Sequence, residues 1–473
     1  MKKHKILKMV IVILALLLAY GCFVIFYFLN KEVSEKFCEN TTINGYQVSG
    51  MNVEEAAQVL KEQYSGYQFE LVETGEVVLS KTLEQLGYDL NEEELSAKVT
   101  KLMLSQKDKL IKSYMKGNAF DMTFPVHIDE KVFKKRIKAS KLSVPRVASV
   151  DAQLSYDGQS YSITPEVYGN EFANKDLRAI VKETIEDALS GEMAGNSTIT
   201  AEIPKEIYYL PAVKQDAPEL VNTMNIYNKY AAAKIEYVFG PQVVTLDWNT
   251  IKDWIIIDGS NGSISDEKAY EYVINMSLKY DTIYTERSFT ASDGRTITLP
   301  SNDYGYRIDR DGEFAQMIAD INANTVTQRE PVYSIKGYAR NGRDDLCGTY
   351  VEVNLSAQHL WFYKNGALLV ESDFVSGLPK DGRETTTGAF PIAYKQSPAV
   401  LEGGSGEGAW SEPVDYWMPF HEGQGLHDAP WRSSFGGDIY KTNGSHGCIN
   451  LPGWAAAAIF ESMESRIPIL LYK

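Results

Sequence analysis

The chain has 473 residues, 44% hydrophobic and 23% charged, with a net charge of -16. That balance is globular and not disordered, and the length predicts three or four domains. The acidic excess argues against a nucleic-acid partner, which needs basic surface to neutralise phosphate.

The first segment sets the compartment. Lys2, Lys3, Lys5 and Lys8 form a basic flank, and Met9 through Leu29 then carries no charge. At ~1.5 Å per residue such a helix crosses a ~30 Å hydrocarbon layer. The basic flank precedes the span, so 1–8 is expected as a cytoplasmic tail, 9–29 as a single transmembrane helix and the remainder as extracellular. A cleaved signal peptide fits less well, because the apolar run is long and no small-x-small site follows. Only four cysteines occur: Cys22, Cys38, Cys347 and Cys448. A disulfide scaffold is not expected in an exported chain this size with so few, although Cys38 and Cys347 are free to pair. Closely spaced Cys/His ligands are lacking, so no metal is expected.

Residues 30–43 read as a short stalk. A theme of strand, Tyr/Gly turn and amphipathic helix then recurs. One copy runs from Val77 through Gly87-Tyr88 into Glu92–Met103. A second runs from Tyr161 through Tyr168-Gly169 into Lys175–Leu189, and a third from Thr296 through Tyr304-Gly305-Tyr306 into Gly312–Ile321. Leu177, Val181, Ile185 and Leu189 repeat at helical spacing. The reading is α+β modules at 30–120, 121–225 and 226–345. His127, isolated there, reads as a surface or strand histidine.

Past the polar stretch Ala339–Asp345 the texture changes to short alternating runs dense in Gly and Pro. Tyr350–Leu355 alternates with period two, and Leu360–Tyr363, Asn365-Gly366 and Leu368–Val370 spell a hairpin. Residues 349–473 are therefore expected to form a mainly-β domain, with one helix at Trp454–Ser465 and a closing strand at Arg466–Tyr472.

Four of the six histidines (His359, His421, His427, His446) fall in this domain. His446 stands two residues before Cys448 in the glycine-bearing run Ser445-His446-Gly447-Cys448-Ile449-Asn450. His427 lies upstream in another such loop, Gly423–Asp428. A cysteine becomes a nucleophile at neutral pH only with a nearby base or a lowered pKa. Free cysteine is more often a small buried hydrophobe, but this one sits in a polar loop. The loop is also expected to lead into a helix start, whose N–H groups favour a thiolate.

His427 followed by Ser445–Asn450 resembles the signature of the L,D-transpeptidase (YkuD-type) catalytic domain, a β-sandwich. Thr385–Phe390 resembles a second element of that family, with Thr386 where proline is common. The forward modules resemble the peptidoglycan-binding modules of larger exported members. The resemblance implies Cys448 as nucleophile and His427 as general base and acid, with His446 the second candidate. It implies an oxyanion hole from the Gly447 and Cys448 N–H groups, a hydrogen bond from Ser445 to a histidine, and loop fixation by Asn450. Trp431, Arg432 and Tyr416 are expected at the substrate, Trp410 and Trp417 lie nearby in sequence, and no cofactor is required. The implied reaction attacks the L,D bond of a tetrapeptide stem, releases D-Ala and passes the acyl group to a neighbouring amine in a 3→3 cross-link, at a cysteine open to carbapenem acylation. Peptidoglycan stem peptides are then both donor and acceptor. Alternatives are an L,D-carboxypeptidase or other wall-trimming cysteine hydrolase, a sortase-like enzyme, and a wall-binding scaffold with an inert Cys448.

Overall fold

A computed structural model describes residues 2–190, 197–404 and 409–473. The chain forms two compact units: residues 1–153 with 164–215, and residues 154–163 with 216–473.

In the first unit, helix α1 (Lys2–Glu35) is long and apolar enough to cross a membrane. The expected stalk is not a stalk. The helix runs on to Glu35, and Phe37, Thr41 and Ile43 beyond it are fully buried, because their apolar neighbours have a core to join. That core reaches from Phe37 to Ile203 without a break at 120. Strand Gln68–Glu73 pairs with Glu76–Thr82 in a hairpin and, in parallel, with the distant Thr198–Glu202. Helix Asn174–Ser190 buries Leu177, Val181, Ile185 and Leu189 against this sheet. The segments read as 30–120 and 121–225 thus share one hydrophobic interior, since neither half-sheet closes alone.

The first part of the second unit repeats the plan. Strands Lys234–Phe239 and Gln242–Leu246 form a hairpin, and Val326–Arg329 pairs with the first of them in parallel. Helices Asp266–Tyr280 and Arg310–Ala323 occupy the long crossover. Between them the hairpin Arg287–Thr290 and Thr296–Leu299 carries Phe289 and Leu299 onto Leu470 and Tyr472 of the C-terminal domain. Arg287 clamps Asp345 with two bonds of 2.7 Å. Both groups are buried, where removing one partner of such a pair is costly.

The C-terminal domain is mainly β, and its strands are numbered here from β1. They are β1 (Tyr350–Asn354), β2 (His359–Lys364), β3 (Ala367–Asp373), β4 (Gly388–Pro391), β5 (Ala399–Gly403), β6 (Trp410–Val414), β7 (Trp417–His421), β8 (Gln424–Asp428), β9 (Ile449–Leu451) and β10 (Pro468–Tyr472). A five-stranded sheet in the order β3-β2-β1-β10-β4 faces a three-stranded sheet, β7-β8-β9, across a core of Val353, Phe362, Leu426, Ile449 and Ile469. Asn365 and Gly366 turn β2 into β3 with φ of 52° and 79°, the left-handed pair a tight hairpin needs. Helix α2 (Gly453–Ser462) seats Ala455, Ala456 and Ile459 in that core.

Candidate active site

The site is built where β8 and β9 run parallel, with Leu426 opposite Ile449, His427 opposite Asn450 and Asp428 opposite Leu451. Cys448 immediately precedes β9 and therefore comes beside Gly425, whose N–H bears on the sulfur. The loop before Cys448 is gripped from both sides. Ser445 N–H donates to the Ser376 carbonyl, and Leu378 N–H donates to the Ser445 carbonyl. The run Phe374–Gly377 makes single bridges here, Val375 to Asn450 and Gly377 to Ser445.

Inside the loop, Ser445 Oγ donates to the Cys448 carbonyl at 2.6 Å and accepts the Gly447 N–H at 3.0 Å. Ser445 thus staples the loop and does not bond a histidine, because its short side chain reaches its own turn first. The same bond engages the Gly447 N–H expected in the oxyanion hole, leaving the Cys448 N–H as the candidate donor. Thr385 Oγ1 donates to the Gly447 carbonyl at 2.8 Å. Gly447 has φ of 121°, and a Cβ there would meet the Gln424 side chain at 2.9 Å. Gln424 in turn accepts the Thr386 N–H at 3.0 Å, so the departure from proline at 386 leaves an N–H that this chain uses.

A cleft of about 170 Å³ is lined by His427, His446, Cys448, Ser445, Asn450, Trp431, Arg432, Trp410, Leu401 and Glu412. His427 is buried, and its Nδ1 lies 2.7 Å from the Asp428 carbonyl. A carbonyl only accepts, so Nδ1 carries the proton and Nε2 is the free base. Burial pushes the His427 pKa below the usual imidazole value, more than the Asp428 carbonyl and charge restore it. The rings of Trp417 and Trp431 each lie 6.0 Å from the His427 ring. His446 is exposed and stacks on Trp410 at 5.1 Å and 16°. Its pKa also falls, through partial burial and then Arg383.

The expected helix start behind Cys448 is displaced. Strand β9 and Pro452 intervene, and α2 begins only at Gly453. No helix terminus therefore acidifies the thiol; burial pushes its pKa up to about 11. Burial thus favours the neutral form of both the thiol and the imidazole that line the cleft.

Tyr416, expected at the substrate, is a correction. It is not among the residues lining the cleft, and its ring packs on Phe460 of α2 at 5.2 Å. Arg432 and Asn450 do line the cleft. Arg432 Nε and Asn450 Oδ1 are buried without a hydrogen-bond partner among the described residues. Leu401, Glu412, Thr385 and Gln424 were assigned no role from sequence. Only Thr385 carried a signal, its place in the Thr385–Phe390 element. Cys38 and Cys347 are free thiols. Among the described residues no group of three or more His, Cys, Asp or Glu side chains is placed to hold a metal ion.

A family model of the L,D-transpeptidase catalytic domain (YkuD) matches residues 348–469. A cysteine-to-serine mutant of the Enterococcus faecium L,D-transpeptidase is 30% identical over 53% of this chain and 100% of its own, with a TM-score of 0.46. The catalytic domain of an E. faecium L,D-transpeptidase acylated by ertapenem is 42% identical over 26% of this chain and 97% of its own, with a TM-score of 0.25. The comparison with curated proteins finds no match. The match over 348–469 takes in the whole cleft loop, and on that finding the chain carries an L,D-transpeptidase (YkuD) catalytic domain there.

Proposed function

We propose that the chain is a membrane-anchored L,D-transpeptidase that forms 3→3 peptidoglycan cross-links through a Cys448 thioester. The observation that carries this is the convergence of Cys448 and His427 in one cleft, with His427 Nδ1 tied to the Asp428 carbonyl and Nε2 left free. Nε2 takes the thiol proton as sulfur attacks the carbonyl of the third stem residue. The Cys448 N–H supports the oxyanion, a contribution often worth ~3 kcal/mol per donor. The imidazolium then protonates the departing D-Ala amine. A side-chain amine of a second stem attacks the thioester and gives a proton to His427, the C–S bond breaks, and His427 passes that proton to sulfur.

Arg432 and Asn450, which line the cleft, offer polar groups to the donor stem, whose amides and carboxylates match them. Trp431 gives that stem an apolar wall. Helix α1 anchors the enzyme with its N-terminus in the cytoplasm, and the two forward modules carry the catalytic domain to the wall side and bind peptidoglycan there. The E. faecium relative acylated by ertapenem supports acylation of Cys448 by carbapenems.

The test is mass spectrometry of products formed from disaccharide-tetrapeptides by the full chain in detergent. Cross-linked dimers and released D-Ala are expected, and Cys448→Ala is expected to form neither. Undiminished dimer from that variant overturns the assignment. Tripeptide without dimer favours a trimming L,D-carboxypeptidase acting through the same thioester.

A further inference from the structure

We propose that Glu412 selects an amine-bearing, cationic acceptor for the second half-reaction; this rests on the thioester reading above. The argument starts from the β5–β6 hairpin. Its register sets Leu401 opposite Glu412 and Gly403 opposite Trp410. A Cβ on Gly403 would lie 2.5 Å from the Trp410 ring, so the indole lies flat across Gly403. The same indole stacks on His446, in the loop that holds Cys448. One face of the hairpin is thereby pinned to the catalytic loop. Residues two apart on a strand share a face, which turns Glu412 to the cleft beside Trp410.

Glu412 is the only carboxylate among the described residues lining that cleft, and the other charge-bearing groups there are Arg432 and the two histidines. A donor stem brings carboxylate and amides, which suit Arg432 and Asn450. A second stem brings a side-chain ammonium, which suits a carboxylate. The ammonium sheds one proton to solvent while held by Glu412. The neutral amine attacks the thioester carbon, sulfur leaves, and the second nitrogen proton passes through His427 to sulfur. Water gains nothing from Glu412, so the carboxylate biases the thioester from hydrolysis toward cross-linking.

The experiment forms the thioester on the full chain from a disaccharide-tetrapeptide and offers two nucleophiles besides water. One is a stem peptide with a free side-chain amine, and the other is hydroxylamine, which is uncharged near neutral pH. The ratio of aminolysis to hydrolysis product is read per acyl-enzyme, so changes in folding or acylation cancel. Glu412→Gln is expected to lower the ratio for the stem amine about fivefold, the upper range for a solvent-exposed ion pair, and to leave hydroxylamine unchanged. Added salt is expected to lower the unsubstituted ratio and not the variant's. An unchanged ratio overturns the proposal. So does an equal fall for both nucleophiles, which would make Glu412 a wall of the cleft and not a charge selector. Absence of acyl-enzyme in the unsubstituted chain overturns the thioester reading, and this inference with it.

Discussion

His427 and His446 border one cleft but stand on two kinds of backbone. His427 belongs to β8, is buried near two indoles, and has its tautomer fixed by the Asp428 carbonyl. His446 projects from a loop, is exposed, and stacks on Trp410. A general base needs a set tautomer and a set direction more than it needs proximity in sequence. The residue two positions from the cysteine is the more exposed imidazole; the distant one is preorganised by the sheet.

The largest effect separates them. His427→Ala should slow β-lactam acylation of Cys448 ~100-fold or more, the usual scale of a lost general base. His446→Ala should cost less than about tenfold, since it loses stacking and positioning only. Stopped-flow acylation rates check this, and a larger loss at His446 reverses the assignment of roles.

Next comes the pH dependence. The base acts as neutral imidazole, and burial lowers the His427 pKa. Activity should therefore be full above that lowered pKa and be lost as pH falls through it, with an acid limb below the ~6.5 of an ordinary histidine. In His427→Ala the unassisted thiol should alkylate with iodoacetamide only as pH climbs toward about 11. A thiolate already present at pH 7 in that variant would contradict the neutral thiol that burial favours.

Smaller effects concern the frame of the loop. Gly447→Ala places a Cβ against Gln424 at a φ of 121°, and should cost ~1–3 kcal/mol of stability in thermal melts. Thr385→Ala removes the bond to the Gly447 carbonyl. It should cost ~1 kcal/mol and lower acylation with little change in the acid limb. A shifted limb would mean that Thr385 acts on the imidazole itself.

Much of this architecture was legible in the residues. Asn365-Gly366 announced the β2–β3 hairpin because few other pairs adopt two left-handed conformations in succession. The spacing of Leu177, Val181, Ile185 and Leu189 announced their helix, and the uncharged run Met9–Leu29 announced α1. The Ser445–Asn450 run and His427 pointed to one site because cysteine and histidine in glycine loops are chemically conspicuous. Glu412 carried no such mark, since a glutamate on an alternating strand reads as an ordinary solvated face. Nor did the joining of 30–120 to 121–225, which depends on pairing Gln68–Glu73 with Thr198–Glu202 across a long crossover.

By itself the sequence determined which residues bear the chemistry and which periods they keep, because side-chain reactivity and strand or helix repeat are local properties. Only the tertiary structure decided how those residues behave. It set the tautomer of His427 through a carbonyl and raised the thiol of Cys448 by burial. It committed Ser445 and Gly447 to each other and turned Tyr416 away from the cleft. It also brought Glu412 in from a hairpin, since desolvation and hydrogen-bond partners arise only when distant segments meet.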